Sequence, residues 1–119
     1  MGIMYVTVRL CHPAAISRAV PVKCLVDTDA TYSVVPAPLL RSIGVRPHQQ
    51  RVFTLADGRK MRRWVGGAAF KLDGHVGWSD VIFGTGRDQP LLGAFSLEAL
   101  GMGIDPVRKR LKPIRLLLA

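Results

Sequence analysis

One stretch of the sequence, residues 24–36, constrains the fold more than any other. An apolar, strand-forming run leads directly into the carboxylate of Asp27, and a second β-favouring run follows Ala30. A carboxylate is rarely placed at the end of a buried strand without a partner or a task. The pattern therefore predicts a strand, a tight turn and another strand, with Asp27 as the residue that has a chemical role.

The rest of the chain divides into short β-type runs separated by turn residues. We expect strands over residues 3–10, 18–26, 31–35, 50–55, 60–72, 75–83, 91–93 and 110–116. The Asp57-Gly58 and Asp73-Gly74 pairs favour tight hairpin turns. Short helices are expected over residues 36–44 and 94–100, the second closed by Gly101. This content predicts a mostly β barrel or sandwich, with residues 1–119 forming a single domain.

Composition excludes several classes of protein. A hydrophobic content of 49% in 119 residues argues against disorder and allows one core. No apolar run is long enough to cross a bilayer, and the N-terminus lacks the features of a signal peptide, so a cytoplasmic location is expected. The two cysteines, Cys11 and Cys24, have no zinc-type spacing with histidine. Free thiols, no metal and no cofactor are therefore expected.

The formal net charge of +9 raises the question of an acidic partner. The basic residues concentrate at positions 59–63 and 108–115, and neither group is interleaved with stacking aromatic residues. A solvated basic face is the favoured interpretation, and nucleic-acid binding is unlikely from this pattern. A basic nucleic-acid-binding β domain stays a third, weaker hypothesis.

Elimination leaves Asp27 as the main candidate for catalysis. No serine lies in a Gly-x-Ser-x-Gly elbow, and neither cysteine has an evident histidine partner. The other carboxylates fit turns, a helix or ordinary surface positions; they are Asp57, Asp73, Asp80, Asp88, Glu98 and Asp105.

Two segments carry a resemblance to a known family. Residues 25–33, with Asp27, Thr28 and Ala30, resemble the active-site segment of retropepsin-like aspartic proteases, which reads apolar-apolar-Asp-Thr/Ser-Gly-Ala/Ser. Leu91, Leu92 and Gly93 resemble the second motif of that family, which follows a long hairpin region and precedes a C-terminal helix. The chain is similar over nearly its whole length to the small prokaryotic clan AA aspartic proteases.

The resemblance implies a fold, an activity and partners. The implied fold is an acid-protease closed barrel with one or two short helices, which forms half of a homodimer. The implied activity is cleavage of a peptide or protein substrate, and no membrane partner is expected. Two Asp27 carboxylates would share a proton and activate a water between them. Thr28 would form a hydrogen bond across the dimer, and residues 3–10 and 111–118 would supply dimer strands. The hairpin with Leu55, Ala56, Asp57 and Gly58 would be the flap that closes over the substrate.

The chain departs from the family pattern at Asp29, where the family has glycine. Glycine leaves room for the substrate and reaches backbone conformations that are costly for other residues. Two hypotheses follow: an aspartic endopeptidase whose activity Asp29 impairs, or an inactive peptide-binding or dimerisation module with the same fold. Residues 59–63 lie on the flap arm, where they would either bias the groove toward acidic peptides or, the favoured interpretation, simply be solvated.

Overall fold

The computed structural model describes residues 2–118. Two short helices and nine strands occur in this range. The strands are β1 (Tyr5–His12), β2 (Ala15–Val26), β3 (Ser33–Pro36), β4 (Gln49–Thr54), β5 (Lys60–Leu72), β6 (His75–Gly84), β7 (Leu91–Leu92), β8 (Met102–Asp105) and β9 (Arg110–Pro113). The helices are α1 (Ala37–Ser42) and α2 (Ala94–Leu100). The mostly β content predicted from the sequence is confirmed.

The order of the main sheet brings two distant segments together. Seven strands pair in the order β1-β2-β7-β3-β6-β5-β4, and β1 also pairs with β5; β8 and β9 form a separate two-stranded sheet. β7 runs parallel to β2, with Leu92 opposite Val26, and antiparallel to β3. Because parallel neighbours end at the same edge of a sheet, the residues that follow β2 and β7 lie side by side. These residues are Asp27 and Gly93.

The core lies between the sheet and the two helices. Alternate residues of β1 and β2 point inward, as the two-residue period of a strand requires, and Val8, Leu10 and Cys24 are fully or almost fully buried. Helix α2 contributes Leu97 and Leu100, which share one face of the helix at a spacing of three residues. Burial of this contiguous apolar cluster fixes the sheet edge on which the site is built.

Most predicted elements are observed, with shifts of up to three residues in bounds such as those of β2, which begins at Ala15 instead of residue 18, and β3, which spans Ser33–Pro36 instead of 31–35. Helix α2 has the predicted bounds, and Gly101 closes it in the left-handed conformation with φ of 70°. The sequence analysis missed β8, began β1 at residue 3 instead of Tyr5, and extended the last strand to residue 116 instead of Pro113. The predicted strand ended at Leu116, but residues 114–118 lie in no strand of the described chain, and Leu116, Leu117 and Leu118 are exposed. The predicted closed barrel and single domain stay predictions.

Two further observations bear on the class of protein. No helix in residues 2–118 is long and apolar enough to cross a membrane. Both cysteines are buried free thiols, as predicted, and Cys24 belongs to the main core cluster. Burial raises the pKa of Cys24 to about 12, because the apolar surroundings disfavour the thiolate.

Candidate functional site

The loop that follows β2 fixes the position of Asp27. The Asp27 N–H donates to the Leu92 carbonyl at 3.0 Å, which ties the loop to β7. The Asp27 carboxylate accepts the N–H of Asp29 at 3.0 Å, and its carbonyl accepts the N–H of Ala30 at 3.3 Å. The backbone of the half-buried residue Asp27 is therefore fixed at the sheet edge, and one backbone N–H orients its carboxylate.

Helix α2 holds the far end of the same loop. The N-terminal amides of a helix have no partner inside the helix, and no side chain caps α2. Ala94 instead donates its N–H to the Ala30 carbonyl at 2.8 Å, and Phe95 donates to the Thr31 carbonyl at 3.0 Å. The loop thus supplies the acceptors that the helix needs, and the helix in turn fixes the loop.

Gly93 allows this close approach. A Cβ atom at Gly93 would lie 2.6 Å from the Tyr32 carbonyl oxygen and 2.8 Å from the Ala30 carbonyl oxygen. Real Cβ atoms essentially never come within 3.0 Å of such atoms. The glycine of the second predicted motif is therefore required by the space between the two motifs.

Three serines behind the loop form a hydrogen-bonded chain that the sequence analysis did not predict. The Ser33 hydroxyl accepts the N–H of Gly93 at 2.9 Å and lies 2.5 Å from the Ser96 hydroxyl, which lies 2.8 Å from the Ser79 hydroxyl. Ser33 and Ser96 are completely buried. A buried hydroxyl requires partners, so this chain links β3, α2 and β6 at fixed distances. No local sequence signal predicts this chain, because its members lie on three separate elements.

The β4–β5 hairpin forms the predicted turn beside the site. Gly58 adopts a φ of 86°, and the Asp57 carboxylate accepts the backbone N–H of Arg59 at 3.0 Å and pairs with its guanidinium. Asp57 and Gly58 are therefore turn residues, as predicted. Ala56, Asp57 and Gly58 are exposed at the tip, whereas Leu55 is half-buried and faces a cavity.

Two adjoining cavities lie between this hairpin and the sheet. The first, of about 250 Å³, is lined by Val34, Phe53, Leu55, Met61, Arg63, Ile82, Asp88, Gln89 and Leu91. The second, of about 310 Å³, is lined by Asp29, Ala30, Thr31, Tyr32, Val34, Phe53, Thr54, Ile82 and Leu91. Four residues line both cavities, so they form one groove that leads from the loop after β2 to the arms of the hairpin. Tyr32 packs edge-on against Phe53 at 5.2 Å between ring centroids and so joins the loop to the hairpin.

The predicted site residues outside the hairpin form two groups that lie side by side. Asp27, Thr28, Asp29 and Ala30 lie on the loop after β2, and Leu91, Leu92 and Gly93 lie beside it. Leu91 also lines both cavities, whereas Leu92 is buried in the core. The Thr28 side chain is exposed and forms no hydrogen bond with another residue of the described chain. No group of three or more His, Cys, Asp and Glu side chains that could hold a metal ion occurs in residues 2–118.

Comparison with solved structures identifies the fold. The structure matches EIAV protease complexed with the inhibitor HBY-793 at a TM-score of 0.65 and 18% identity, over 84% of this chain and 89% of that chain. It matches the solution structure of simian foamy virus (mac) protease at a TM-score of 0.51 and 20% identity, over 78% of this chain and 92% of that chain. No protein-family model and no curated protein sequence matches the chain.

These similarities establish the class of fold. The chain has a retropepsin-like aspartic protease fold, as the two sequence motifs predicted. At these identities the similarity defines the fold alone. The small prokaryotic type, the roles of individual site residues and the homodimer stay predictions.

Proposed function

We propose that the chain is an aspartic endopeptidase that acts as a symmetric homodimer. The observation that carries the proposal is the position of Asp27, which hydrogen bonds fix at the end of β2, next to the end of β7, in a retropepsin-like fold. Each chain has one such carboxylate, and the mechanism requires two. Two copies related by a two-fold axis supply the pair, with residues 1–119 forming one half. A cytoplasmic location stays a prediction from the sequence.

The proposed mechanism follows from the proximity of two like charges. Two neighbouring carboxylates cannot both be ionised easily, so the Asp27 pair holds one proton. The ionised carboxylate removes a proton from a water molecule, whose oxygen bonds to the carbonyl carbon of the scissile peptide. The protonated carboxylate donates to the carbonyl oxygen. Transfer of a proton to the leaving nitrogen then breaks the C–N bond and releases an amine and a carboxylic acid.

Exposed apolar residues at both ends of the chain support the dimer. Ile3 is 79% exposed, and Leu116, Leu117 and Leu118 are 73%, 79% and 103% exposed. Residues 5–12 already pair with β2, which leaves residues 2–4 as the N-terminal part of the proposed dimer contact. Exposed apolar clusters of this kind mark protein interfaces. We therefore assign residues 2–4 and 114–118 to the interface between the two copies.

The groove supports an extended peptide as substrate. The β4–β5 hairpin lies over one side of the groove, and Leu55 faces the groove from the end of β4. An extended peptide would pair with the backbone of the hairpin and place alternate side chains in the cavities. In this proposal the hairpin is the flap, and Leu55, Ala56, Asp57 and Gly58 close over the substrate.

Asp29 favours a second candidate, an inactive peptide-binding or dimerisation module. Its side chain is exposed and lines the cavity next to Asp27. Two copies would place two extra negative charges beside the catalytic pair and would narrow the groove. Either effect would lower or abolish hydrolysis without preventing peptide binding or dimerisation.

The two candidates are separated by cleavage of a mixed peptide library, analysed by mass spectrometry. The chain and its Asp29→Gly variant are compared with Asp27→Asn, which we expect to abolish cleavage. Asp73→Asn is the matched control, because Asp73 lies in the exposed β5–β6 turn and the same change there leaves the groove intact. Cleavage that persists in Asp27→Asn would refute the catalytic assignment.

The Asp29 variants then assign the chain to one candidate. Equal cleavage by the chain and by Asp29→Gly means that Asp29 is harmless, whereas cleavage by Asp29→Gly alone supports the inactive module. Asp29→Asn removes the charge but keeps the size of the side chain, so its activity distinguishes repulsion from obstruction. Sedimentation of each variant measures the dimer independently of hydrolysis.

A further inference from the structure

One end of the first cavity under the hairpin is charged. Most of its wall is apolar, formed by Val34, Phe53, Leu55, Met61, Ile82 and Leu91. Arg63 and Asp88 line the same cavity. The sequence analysis treated Arg63 as part of a solvated run and Asp88 as an ordinary surface residue. Both interpretations are wrong, because the two side chains are only 20% and 29% exposed and form an ion pair.

Arg63 faces the cavity because of its position in β5. Side chains alternate between the two faces of a strand, so Arg63 lies on the same face as Met61, which also lines the cavity. Its sequence neighbour Arg62 lies on the opposite face, is exposed, and is paired with Val52 in the sheet register. One arginine of the basic run therefore points into the groove while the next points away from it.

The pairing of Arg63 with Asp88 leaves the guanidinium with free donors. The closest approach, from Nη2 to the Asp88 Oδ2, is 3.6 Å, which is too long for a good hydrogen bond. The same Oδ2 atom already accepts the Thr85 N–H at 2.8 Å and the Thr85 hydroxyl at 3.1 Å. The Arg63 side chain forms no hydrogen bond with another residue in 2–118. The guanidinium of a residue that lines an apolar cavity thus keeps N–H donors without a hydrogen-bond partner in the described chain. A planar fork of such donors suits a carboxylate.

The surrounding charges favour the same ligand. Arg51 lies opposite Arg63 in the β4–β5 register and so shares its face of the hairpin, whereas Lys60 and Arg62 lie on the other face. Asp57 at the tip is paired with Arg59, and Asp88 is hydrogen-bonded to Thr85. Arg51 and Arg63, which lie on the same face of the hairpin, therefore outnumber Asp88 at this end of the groove, in contrast to the opposite end, which Asp29 lines.

We propose that the cavity at Arg63 binds an acidic side chain of the peptide substrate. This inference rests on the proposed function and names its substrate class. The carboxylate of a glutamate forms a bidentate pair with the Arg63 guanidinium, and the methylene groups of the glutamate pack against Met61 and Leu91. A lysine is disfavoured in this cavity, because Asp88 already accepts two hydrogen bonds from Thr85 and Arg63 repels a second cation.

The test uses sets of peptides based on one cleaved sequence. Within a set the peptides differ at one position, which carries Glu, Gln, Leu or Lys, and each position of the sequence is varied in turn. At the position that occupies the cavity, we expect kcat/KM for Glu to exceed that for Gln by about tenfold, the effect of one charged hydrogen-bonded pair. Arg63→Gln should bring the Glu/Gln ratio to about one. Arg63→Lys should retain part of the preference, because lysine keeps the charge but loses the fork. Arg62→Gln is the matched control on the opposite face and should leave the ratio unchanged.

Binding of the same peptides, labelled and followed by fluorescence anisotropy, separates this inference from the proposed function. Glu-selective binding that depends on Arg63, without cleavage by the chain or by Asp29→Gly, would refute the protease and support the acidic subsite. Equal cleavage or equal binding of the Glu and Gln peptides would refute the subsite, as would a Glu preference that survives Arg63→Gln. A chain that neither cleaves nor binds any of the peptides would refute both proposals.

Discussion

The contact at Gly93 gives the sharpest prediction about the junction of the two motifs. The backbone of Gly93, with φ of −95° and ψ of −179°, is one that any L-residue adopts, so Gly93→Ala costs nothing in conformation. Its whole cost is the new Cβ atom, 2.6 Å from the Tyr32 carbonyl oxygen. That oxygen must move by about 0.8 Å for its distance from the Cβ atom to reach the 3.4 Å of an ordinary contact. This movement is resisted because neighbouring carbonyls of the same loop accept hydrogen bonds from α2.

The size of the destabilisation by Gly93→Ala follows from the rigidity of the backbone at residue 93 and at Tyr32. Overpacking a well-packed site costs about 1–3 kcal/mol, and contact with backbone atoms that are held on both sides belongs at the upper end of that range. We expect Gly93→Ala to lower the free energy of unfolding by about 2–3 kcal/mol and Tm by about 10 °C. Urea unfolding followed by circular dichroism measures the first quantity, and calorimetry measures the second.

Two alanine variants serve as controls. Gly86 has no atom within 4 Å of a built Cβ, so Gly86→Ala should change the free energy of unfolding by less than about 0.5 kcal/mol. At Gly77 a Cβ would lie 2.5 Å from the backbone of Ala99, so Gly77→Ala should destabilise the fold at a point remote from Asp27. A Gly93→Ala variant that unfolds at the same urea concentration as the unmodified chain would refute the reasoning, because the two motifs would then not be rigidly packed.

Two further predictions concern buried groups behind the site. Ser96→Ala removes the hydroxyl that joins Ser33 to Ser79 and should lower the free energy of unfolding, measured in urea, by about 1–3 kcal/mol. Ser42 is exposed and forms one local hydrogen bond, so the control Ser42→Ala should lower it by less than about 0.5 kcal/mol. Equal effects of the two changes would contradict a structural role for the serine chain. Cys24, whose pKa burial raises from 9.0 to about 12, stays protonated in the folded chain while the unfolded chain ionises, so stability should be full below about pH 9 and fall as the pH rises toward 12. Urea midpoints across this range should fall less in Cys24→Ala, and an identical pH dependence in the two proteins would exclude this thiol as the cause.

The parts of the fold that the sequence predicted are those with local signals. Both hairpin turns carry Asp-Gly pairs, and Gly58 and Gly74 adopt positive φ angles that other residues rarely reach. Helix α2 was bounded correctly because Gly101 marks its end. β8 was missed because it has four residues, one of them Gly103, and no alternating pattern. The apolar C-terminal run was assigned to a strand because a sequence does not distinguish residues buried in a core from residues available to a partner.

The parts of the site that were missed depend on contacts between distant residues. Asp88 was assigned to the surface because it lies in a polar loop. Its partner Arg63 lies 25 residues earlier, on β5, and the remainder of β5 and all of β6 separate the two residues in the sequence. Ser33 and Ser96 are separated by 63 residues, and neither carries a local signal of burial. Asp27 and Gly93 are at least as far apart in the sequence, but the family resemblance pairs them. The parallel pairing of β2 and β7 gives the physical reason for that pairing.

Asp29 remains the residue on which the proposed activity depends, and the structure narrows how it can act. Asp73 and Lys109 are the non-glycine residues with positive φ in the described chain, so Asp29 does not occupy a backbone conformation reserved for glycine. Its N–H still donates to the Asp27 carboxylate, a hydrogen bond that any residue at this position can make. Backbone strain is therefore not the reason that an aspartate here would impair catalysis. What is left is the side chain. Asp29 is exposed and lines the groove two residues after Asp27, and repulsion between two charges near a protein surface reaches about 4 kcal/mol at about 4 Å and falls with distance. An effect of this origin weakens with salt, whereas obstruction of the groove does not.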